Sequence, residues 1–408
     1  MNPAGESYRV CSRCVMDTTD PGISFDAEGV CNHCRYFEND VRRQLPSPEE
    51  AAERFQNIVA DIKRSGVGRE YDCLLGISGG VDSSYLAYLA WKHGLRTLLV
   101  HMDNGWDSEL AIKNIENIVK TTGFDYYNHV VDWEEFKDLQ LAYFRASVVD
   151  IEVVTDHAIT AFVYRTAWKF GIKYILDGNN EVTEAIYPRR GWMFLTKSDL
   201  ANLMAIHRKF GHVPLKTYPR LALYEIKFYR QLRDLRFMSL LNLVPYRLED
   251  AMKVLEREFG WRYYGGKHWE SAFTKFYQAY ILPRKFNVDK RKVHLSNLIC
   301  SGQITRQEAL QKLKTDVYSP EQLREEYEYV VKKLGLTRDE FERIMALPVV
   351  PHEAYPTEAT QLSYRLRAAF WGAAGEGALF ARRNWWRLRR VWRRIASAGA
   401  SNPKATVR

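Results

Sequence analysis

The chain has 408 residues, of which 46% are hydrophobic and 27% are charged, so it is long enough to bury an α/β domain with smaller appendages. It contains no apolar run of about 18 residues or more, and its first residues have neither a basic segment nor an apolar core. The sequence therefore predicts neither a membrane-spanning helix nor a secretory signal, and we expect a cytoplasmic protein.

The net charge of +9 is confined to the end of the chain. Residues 361–408 hold eleven Arg and Lys against one acid, which leaves 48 basic and 49 acidic side chains in the first 360 residues. A body with this balance lacks the positive surface that nucleic-acid binding needs. We therefore expect no nucleic-acid partner.

Cysteine spacing predicts a metal site near the start. Four of the six cysteines form two close pairs with sixteen residues between them, Cys11-x-x-Cys14 and Cys31-x-x-Cys34. The spacing is typical of a tetrahedral zinc site, and four thiolates leave no open coordination position. We predict a structural zinc-binding module at residues 8–40, with His33 as a neighbour of the metal. The alternative is two redox CxxC motifs, but no βαβ pattern adjoins them.

Residues 48–185 alternate between helix and strand patterns. Ser47, Pro48 and Glu50 form a capping box that begins a helix at 48–66. Short apolar stretches predict strands at 72–77, 97–102, 126–131 and 173–176. Amphipathic or glycine-ended segments predict helices at 83–93, 110–120 and 158–170. The alternation predicts an α/β fold with a doubly wound, mostly parallel sheet, in which ligands bind at the carboxyl ends of the strands.

Residues 186–346 are predicted to be a mostly helical substrate-binding region. Their strand pattern is lost, and capping boxes begin at Thr305 and Thr337.

Residues 347–408 are predicted to be a Pro-rich linker followed by a basic tail. The linker is marked by three prolines, Pro348, Pro351 and Pro356. In the tail, Trp385, Trp392 and their apolar neighbours form one stripe of a helix among many arginines. Such a helix can lie on an anionic membrane or dock on a protein, so peripheral membrane contact is one expectation for the tail.

The loop after the first predicted strand predicts an ATP site. It reads Ser78-Gly79-Gly80-Val81-Asp82-Ser83 and opens a helix. Glycines let backbone amides approach an anion, and the helix N-terminus favours phosphate. The pattern is neither a Walker loop nor a dinucleotide fingerprint. Asp82 beside phosphates is reasonable where Mg²⁺ bridges them. The alternative is a simple glycine-rich turn.

This loop resembles the signature of the N-type ATP pyrophosphatases, or PP-loop enzymes, which include asparagine, GMP and NAD synthetases and tRNA thiolation enzymes. They cleave ATP between the α and β phosphates and place AMP on a carbonyl-type oxygen, from which a nucleophile displaces it. The resemblance implies an adenine nucleotide α-hydrolase-like fold. It also implies that pyrophosphate and Mg²⁺ are held by Ser78, Gly79, Gly80, Val81, Asp82 and Ser83.

Two other strand ends face the same crevice. The end of the second strand, where the superfamily usually receives adenosine, holds His101, Met102 and Asp103. The end of the fourth strand holds Asp177, Gly178 and Glu181. We predict that Gly178 approaches the nucleotide, that Asp177 and Glu181 are catalytic, and that Glu181 joins Asp82 as a Mg²⁺ ligand. The alternative role for either carboxylate is a helix cap or turn.

Basic and aromatic residues are interleaved between Trp261 and Ser296. Lysine can neutralise phosphate charge as a bond breaks, and arginine can clamp a carboxylate or phosphate. The glycine pair Gly265-Gly266 favours a substrate or phosphate site over the alternative, a solvated basic helix.

The zinc pairs, the SGGVDSS loop, Asp177-Gly178-Asn179-Asn180-Glu181 and the stretch from Lys267 to Arg306 together resemble the N-acetyl sugar amidotransferases of bacterial surface-polysaccharide biosynthesis, including that of lipopolysaccharide O-antigen. The resemblance covers roughly residues 8–345. It implies that ATP adenylates the acetamido oxygen of a nucleotide sugar, here expected to be a uronic acid, and that ammonia then displaces AMP to leave an acetamidino group. It also implies that Lys267 is catalytic and stabilises the leaving pyrophosphate. The residues expected to bind the acidic nucleotide sugar are Arg189, Arg190, Lys197, His268, Lys290 and Arg291.

The source of ammonia is predicted to be another protein. Position 2 is Asn2, so one type of built-in glutaminase nucleophile is absent. Cys73 lies on a predicted strand and Cys300 has no nucleophile elbow, so both are expected to be buried packing residues. The family resemblance implies a separate glutaminase working with a cyclase-like subunit.

Two rival functions stay open. A tRNA thiolation enzyme also pairs zinc cysteines with this loop, but the body lacks charge for tRNA and the extra cysteines. A non-catalytic zinc-ribbon module on a decayed ATP fold is the other, and the intact Asp82, Ser83 and Ser84 disfavour it.

Overall fold

The computed structural model describes residues 7–188, 191–194, 196–367 and 369. Its strands are β1 Cys73–Gly76, β2 Thr97–Asp103, β3 Asp125–Val130, β4 Tyr174–Leu176 and β5 Arg236–Met238. They form one sheet of order β3-β2-β1-β4-β5, and all four neighbouring pairs are parallel. The predicted tail helix and the predicted substrate residues Arg189 and Arg190 lie outside the described residues.

Helices surround the sheet and fill the second half of the chain. They are α1 Asn32–Tyr36, α2 Arg42–Gln44, α3 Pro48–Ser65, α4 Val81–Lys92, α5 Glu109–Thr122, α6 Trp133–Ala146, α7 Val153–Lys169, α8 Glu181–Glu184, α9 Leu200–Phe210, α10 Leu223–Leu232, α11 Leu248–Phe259, α12 Ala272–Phe276, α13 Leu282–Phe286, α14 Lys290–Cys300, α15 Arg306–Lys314, α16 Pro320–Lys333 and α17 Arg338–Met345. Within the described part of the chain, no helix is both long and apolar enough to cross a membrane.

Side chains alternate between the two faces of the sheet, and both faces are covered. Leu74 and Leu98 pack in a core shared with α6 and α7. Leu75 and Leu99 pack in a second core with α3, α4 and α5. Consecutive strand residues point to opposite faces, so a sheet with helices on both sides needs apolar residues at every position. The predicted fold class, a doubly wound parallel sheet with a four-cysteine cluster before it and helices after it, is confirmed.

Helix α6 is absent from the sequence prediction. Its N-terminus is capped by Asp132, whose carboxylate accepts hydrogen bonds from the amides of Glu134 and Glu135. The inner face of α6 carries two acids, Glu135 and Asp138, which are buried because they accept amide hydrogen bonds from residues 212–218. Charged residues on the buried face break the apolar stripe by which a helix is recognised.

Strand β5 was also missed. It has three residues, it lies at the edge of the sheet, and its Arg236 is exposed. Such a segment has no alternating pattern long enough to detect. Its position shows that the region predicted to be a helical unit after residue 185 contributes a strand to the sheet.

The cysteine module packs on α14 and α15. The Arg306 guanidinium donates hydrogen bonds to the carbonyl oxygens of Cys14 and Cys11, each at 3.0 Å. The amide of Val15 donates to Ser296 Oγ at 3.3 Å, and Lys292 pairs with the buried Asp17. The module therefore shares its core with the rest of the protein.

The prolines predicted to form a linker belong to a segment fixed on the body. His352 is buried, and its ring stacks on Phe194 with centroids 4.4 Å apart. Its Nε2 accepts a hydrogen bond from the amide of Asp150 at 3.2 Å. Further along, Glu358 is buried and accepts the amides of Leu200 and Leu223. Residues 352–358 of the predicted Pro-rich linker are therefore docked on the body, which proline spacing alone does not reveal.

Candidate active site

The segment from Ser78 to Ser83, called the phosphate loop below, is a hydrogen-bonded turn that connects β1 to α4. Gly79 has φ +77°, and a Cβ there would lie 2.5 Å from the carbonyl oxygen of Ala111, so only glycine fits. The carbonyl oxygen of Gly79 accepts a hydrogen bond from the buried indole of Trp261 at 2.9 Å. Ser78 Oγ lies 3.2 Å from Ser83 Oγ and accepts the amide of Gly80. The loop is thus preorganised at the N-terminus of α4, where an anion is favoured.

Lys267 reaches the loop from a distant part of the sequence. Its ammonium lies 3.1 Å from Asp82 Oδ2 and 2.9 Å from Glu184 Oε1, and it donates to Thr183 Oγ1 at 3.0 Å. Burial works against its charge, but Asp82 and Glu184 more than offset burial and raise the pKa of Lys267. Asp82 also accepts hydrogen bonds from the hydroxyl of Tyr246 and, at 3.4 Å, from Asn180 Nδ2. A charged lysine is therefore held beside Asp82 of the loop.

The segment that carries Lys267 is held by close packing. The ring of Trp269 lies against Gly266, where a Cβ would come 2.3 Å from the indole. The carbonyl of Glu270 accepts the amide of Ser108 at 2.8 Å, which ties the segment to the loop after β2. His268 has φ +64°, a left-handed conformation that costs a non-glycine residue energy and is often found at functional sites.

A cavity of about 840 Å³ extends from the loop between the sheet and the helical region. Ser78, Asp177 and Lys267 line one end of it. Glu152, Lys197 and Lys290 also line it. The structure thus brings Ser78 of the predicted loop and several predicted substrate residues to one cavity.

The predicted site residues after β4 differ in how close they lie to the phosphate loop. A Cβ on Gly178 would lie 3.5 Å from the amide nitrogen of Ser83, so Gly178 is next to the loop. Asp177 accepts hydrogen bonds from the amide and side chain of Asn179, as a turn carboxylate does. Glu181 lines the cavity but is exposed, and its amide donates to Asn242. Among the described residues, Glu184 rather than Glu181 is the α8 acid in contact with Lys267.

The end of β2 forms a second, smaller groove of about 400 Å³, lined in part by His101 and Asp103. His101 is largely committed to structure, because its Nδ1 lies 2.7 Å from the carbonyl of Ile77 and its Nε2 lies 2.9 Å from Asp107. Burial works against its charge, and the Asp107 carboxylate raises its pKa. Met102 is buried and lines the main cavity.

The predicted substrate residues divide into two groups. Lys197, His268 and Lys290 line the cavity. Lys197 is already paired, with Asp156 at 2.5 Å and Asp150 at 3.4 Å. The guanidinium of Arg291 is bound to Asp289 and to the carbonyl of Thr315, and Arg291 is not among the cavity-lining residues. The sequence therefore shows which residues are basic, but it does not show which of these side chains line the cavity.

The four predicted zinc ligands form a compact cluster. Their Sγ atoms all lie within 4.8 Å of one another, and all four side chains are buried. Cys11 Sγ accepts backbone amides from Cys14 and Cys31, which favours a thiolate. The donor set fits a tetrahedral metal ion such as zinc. Cys300 is buried as predicted, and its Sγ lies 3.7 Å from that of Cys34, a proximity that the sequence does not reveal.

Sequence reasoning missed several polar residues of the cavity. Glu184 and Tyr246 contact the Lys267–Asp82 pair, and Glu152 and Glu270 line the cavity with one buried carboxylate oxygen each that has no hydrogen-bond partner in the described residues. Burial raises the pKa of Glu270. None of them belongs to a local motif, so only the folded chain shows that they converge.

Comparison with known proteins gives one family match. Residues 270–368 match the family model described as "LPS biosynthesis protein WbpG-like, C-terminal domain". No curated protein sequence matches the chain.

Matches among solved structures include NMN synthetase from Francisella tularensis, with 16% identity, a TM-score of 0.28, and coverage of 53% of this chain and 88% of that one. NH3-dependent NAD synthetase from Campylobacter jejuni shows 13% identity and a TM-score of 0.28, over 53% of this chain and 94% of the other. A predicted tRNA methyltransferase subunit from Methanocaldococcus jannaschii shows 15% identity and a TM-score of 0.27, over 45% and 73%.

The matched stretch begins three residues after Lys267 and includes α12 to α17. Residues 270–368 are therefore similar to the C-terminal domain of the WbpG-like proteins of lipopolysaccharide biosynthesis, which is consistent with the resemblance of the sequence motifs.

Proposed function

We propose that this protein is a PP-loop enzyme of surface-polysaccharide biosynthesis that converts an acetamido group of an N-acetylated nucleotide sugar to an acetamidino group. ATP is the activating substrate, and a uronic acid derivative is the expected sugar. The observation that carries the proposal is the contact between Lys267 Nζ and Asp82 Oδ2 at 3.1 Å, because it joins the phosphate loop to the segment with the sugar-amidotransferase resemblance.

In the first half-reaction the acetamido oxygen attacks the α phosphate of ATP, and pyrophosphate leaves. The loop from Ser78 to Ser83 supplies backbone and hydroxyl donors for that pyrophosphate. Lys267 supplies positive charge where negative charge grows on the leaving group. Asp82, with Glu184 or Glu181, offers the carboxylate oxygens that Mg²⁺ prefers, and Mg²⁺ would neutralise phosphate charge there.

In the second half-reaction ammonia attacks the imidate carbon that bears the adenylated oxygen, the C–O bond breaks, and AMP leaves with that oxygen. We propose that a separate glutaminase, with a cyclase-like subunit, supplies the ammonia. The neutral body of the chain favours a small nucleotide sugar over tRNA as the acceptor.

The test is a reconstituted reaction with the protein, ATP, Mg²⁺, ammonium and a UDP-linked N-acetylated uronic acid. We expect AMP, pyrophosphate and a sugar product in which one amide oxygen is replaced by NH, detected by mass spectrometry. AMP release that required tRNA instead would contradict the proposal, and an absence of nucleotide turnover with every acceptor would favour a binding module.

A further inference from the structure

The second half-reaction requires a proton acceptor. The lone pair of ammonia forms the new C–N bond, and the nitrogen then carries one proton too many. That proton must pass to a base before the C–O bond to AMP breaks, with its electron pair leaving on the phosphate. The acceptor has to line the same cavity as the phosphate loop.

Glu270 has a buried carboxylate oxygen with no partner among the described residues, but it lies against the phosphate loop, where its Oε1 is 3.2 Å from the position that a Cβ on Gly80 would take, so it belongs to the adenylation end. Asp82 and Glu184, at the same end, are already engaged. Asp82 is bound by Lys267, Tyr246 and Asn180, and Glu184 is paired with Lys267.

Three histidines line the cavity. His101 is engaged at both ring nitrogens, by the carbonyl oxygen of Ile77 and by Asp107. The other two, His268 and His294, are poor acceptors. Burial, and then the positive charge of Lys267 among others, holds the pKa of each well below its usual range.

Glu152 has the geometry of a base. It lies directly before α7 and lines the cavity. Its Oε2 accepts a hydrogen bond from the hydroxyl of Thr274 at 2.8 Å, which fixes the carboxylate. Its Oε1 is buried and has no hydrogen-bond partner among the described residues. Thr274 lies on α12, in the same segment as Lys267, so one stretch of chain holds both the phosphate-end lysine and this carboxylate.

Burial and the neighbouring charges together bring the pKa of Glu152 close to neutral pH. Burial raises its pKa to about 7, and Asp156 and Asp150 add to the rise, while Thr274 and Lys197 oppose it. Lys197 offsets the rise only in part because it is paired with both of those aspartates.

The charge of Glu152 also acts on two other titratable groups, Lys290 and Tyr277. Burial lowers the pKa of Lys290 to about 8, and Glu152 is among the acids that counter the fall. Burial also raises the pKa of Tyr277 well above its usual value, which leaves the phenol neutral. A carboxyl group whose pKa lies near the working pH can both accept and release a proton.

We propose that Glu152 is the general base that takes the proton from the ammonia nitrogen as AMP is displaced. This role rests on the proposed function, since it concerns only its second half-reaction. Glu152 then contributes little to adenylation, because the groups that contact it or bear on its charge are Thr274, Asp156, Asp150 and Lys197, none of which belongs to the phosphate loop.

The test separates the two half-reactions in the full-length protein. Exchange of labelled pyrophosphate into ATP, with the nucleotide sugar and without ammonium, reports adenylation. Formation of the amidine with ammonium reports the second step. We expect Glu152→Gln to retain exchange within about threefold and to lose amidine formation by about 10²–10³-fold, the usual contribution of a general base.

A second variant tests the same role through pH. At a fixed concentration of free ammonia, amidine formation should fall as pH decreases through about 7, because Glu152 becomes protonated. The Thr274 hydrogen bond favours the charged carboxylate, so Thr274→Val should move this fall to higher pH. A merely structural role for Thr274 would not shift the profile.

Each outcome decides one point. Full amidine formation by Glu152→Gln, or loss of exchange and amidine formation together in a folded variant, would overturn the role of Glu152. If that variant does not fold, an unshifted pH profile in Thr274→Val would overturn it instead. Wild-type protein that shows no exchange with any acetamido sugar would refute the proposed function itself.

Discussion

The cysteine module and the phosphate loop are both short motifs, but the fold buries the cysteine side chains and leaves the loop at the edge of a cavity. The four cysteine side chains are 0% exposed and their module is bonded to α14 and α15. The phosphate loop opens on a cavity of about 840 Å³. A closed set of four thiols has no position for a substrate, whereas an open cradle of donors does. We therefore expect the module to contribute to stability and the loop to contribute to the chemistry.

Helix α14 connects the two regions. Lys290 and His294 face the cavity, whereas Lys292, Ser296 and Cys300 contact the cysteine module. Metal in the module would therefore stabilise the helix that forms one wall of the cavity. The variants below test how far stability and chemistry can be separated.

The largest effect is expected for Asp82→Asn. The change removes the carboxylate beside Lys267 at the loop, so AMP formation should fall by about 10²–10³-fold. Metal content, measured by atomic emission, and melting temperature should stay near those of the wild type. The matched control is Asp61→Asn on α3, a half-exposed carboxylate paired with Arg64, which should leave the rate unchanged and alter stability by less than about 1 kcal/mol. Near-normal turnover in Asp82→Asn would mean that the loop does not hold the nucleotide.

Cys14→Ser should reverse this pattern. Loss of one thiolate weakens the metal site, and metal-binding energy in such a module is folding energy. We expect the free energy of unfolding to fall by more than about 3 kcal/mol, measured by chemical denaturation with metal analysis. Cys73→Ser changes another buried cysteine and should keep the metal. A stable, metal-free Cys14→Ser variant would show that the module needs no metal.

Arg306→Ala should have a smaller effect. It removes two hydrogen bonds to the carbonyl oxygens of Cys11 and Cys14, so we expect a loss of about 1–3 kcal/mol in the free energy of unfolding while metal is retained. Arg343→Ala on the exposed face of α17 is the control, with an expected change within about 0.5 kcal/mol. Equal stability of the two variants would indicate that the module is not held through Arg306.

Removal of residues 370–408 should have the smallest effect on catalysis. These residues carry most of the positive charge of the tail and lie beyond the family match. We expect pyrophosphate exchange in solution to be unchanged. An inactive truncated enzyme with a normal melting temperature would show that the tail takes part in the chemistry.

Local patterns in the sequence were sufficient for the sheet core and both motifs. The strands of the core are continuous apolar runs such as Leu98 to Val100, and Gly79 of the loop stands at a position that only glycine can occupy. The four cysteines converge because their spacing sets the site.

Local patterns were not sufficient where function depends on distant contacts. Glu184 and Tyr246 meet Asp82 only through folding, and Arg291 carries the expected charge but bonds to Asp289 instead of the cavity. Helix α6 could not be predicted for the same reason. Its buried acids accept hydrogen bonds from backbone amides some 75 residues or more away along the chain.

The most direct test of the central claim follows one oxygen atom. The acetamido group of the nucleotide sugar is labelled with ¹⁸O, and the reaction is run with ATP, Mg²⁺ and ammonium. If the amide oxygen is adenylated and ammonia displaces AMP, the label must appear in the phosphate of AMP. Label that remains in the sugar, or enters pyrophosphate or water instead of AMP, would contradict the account.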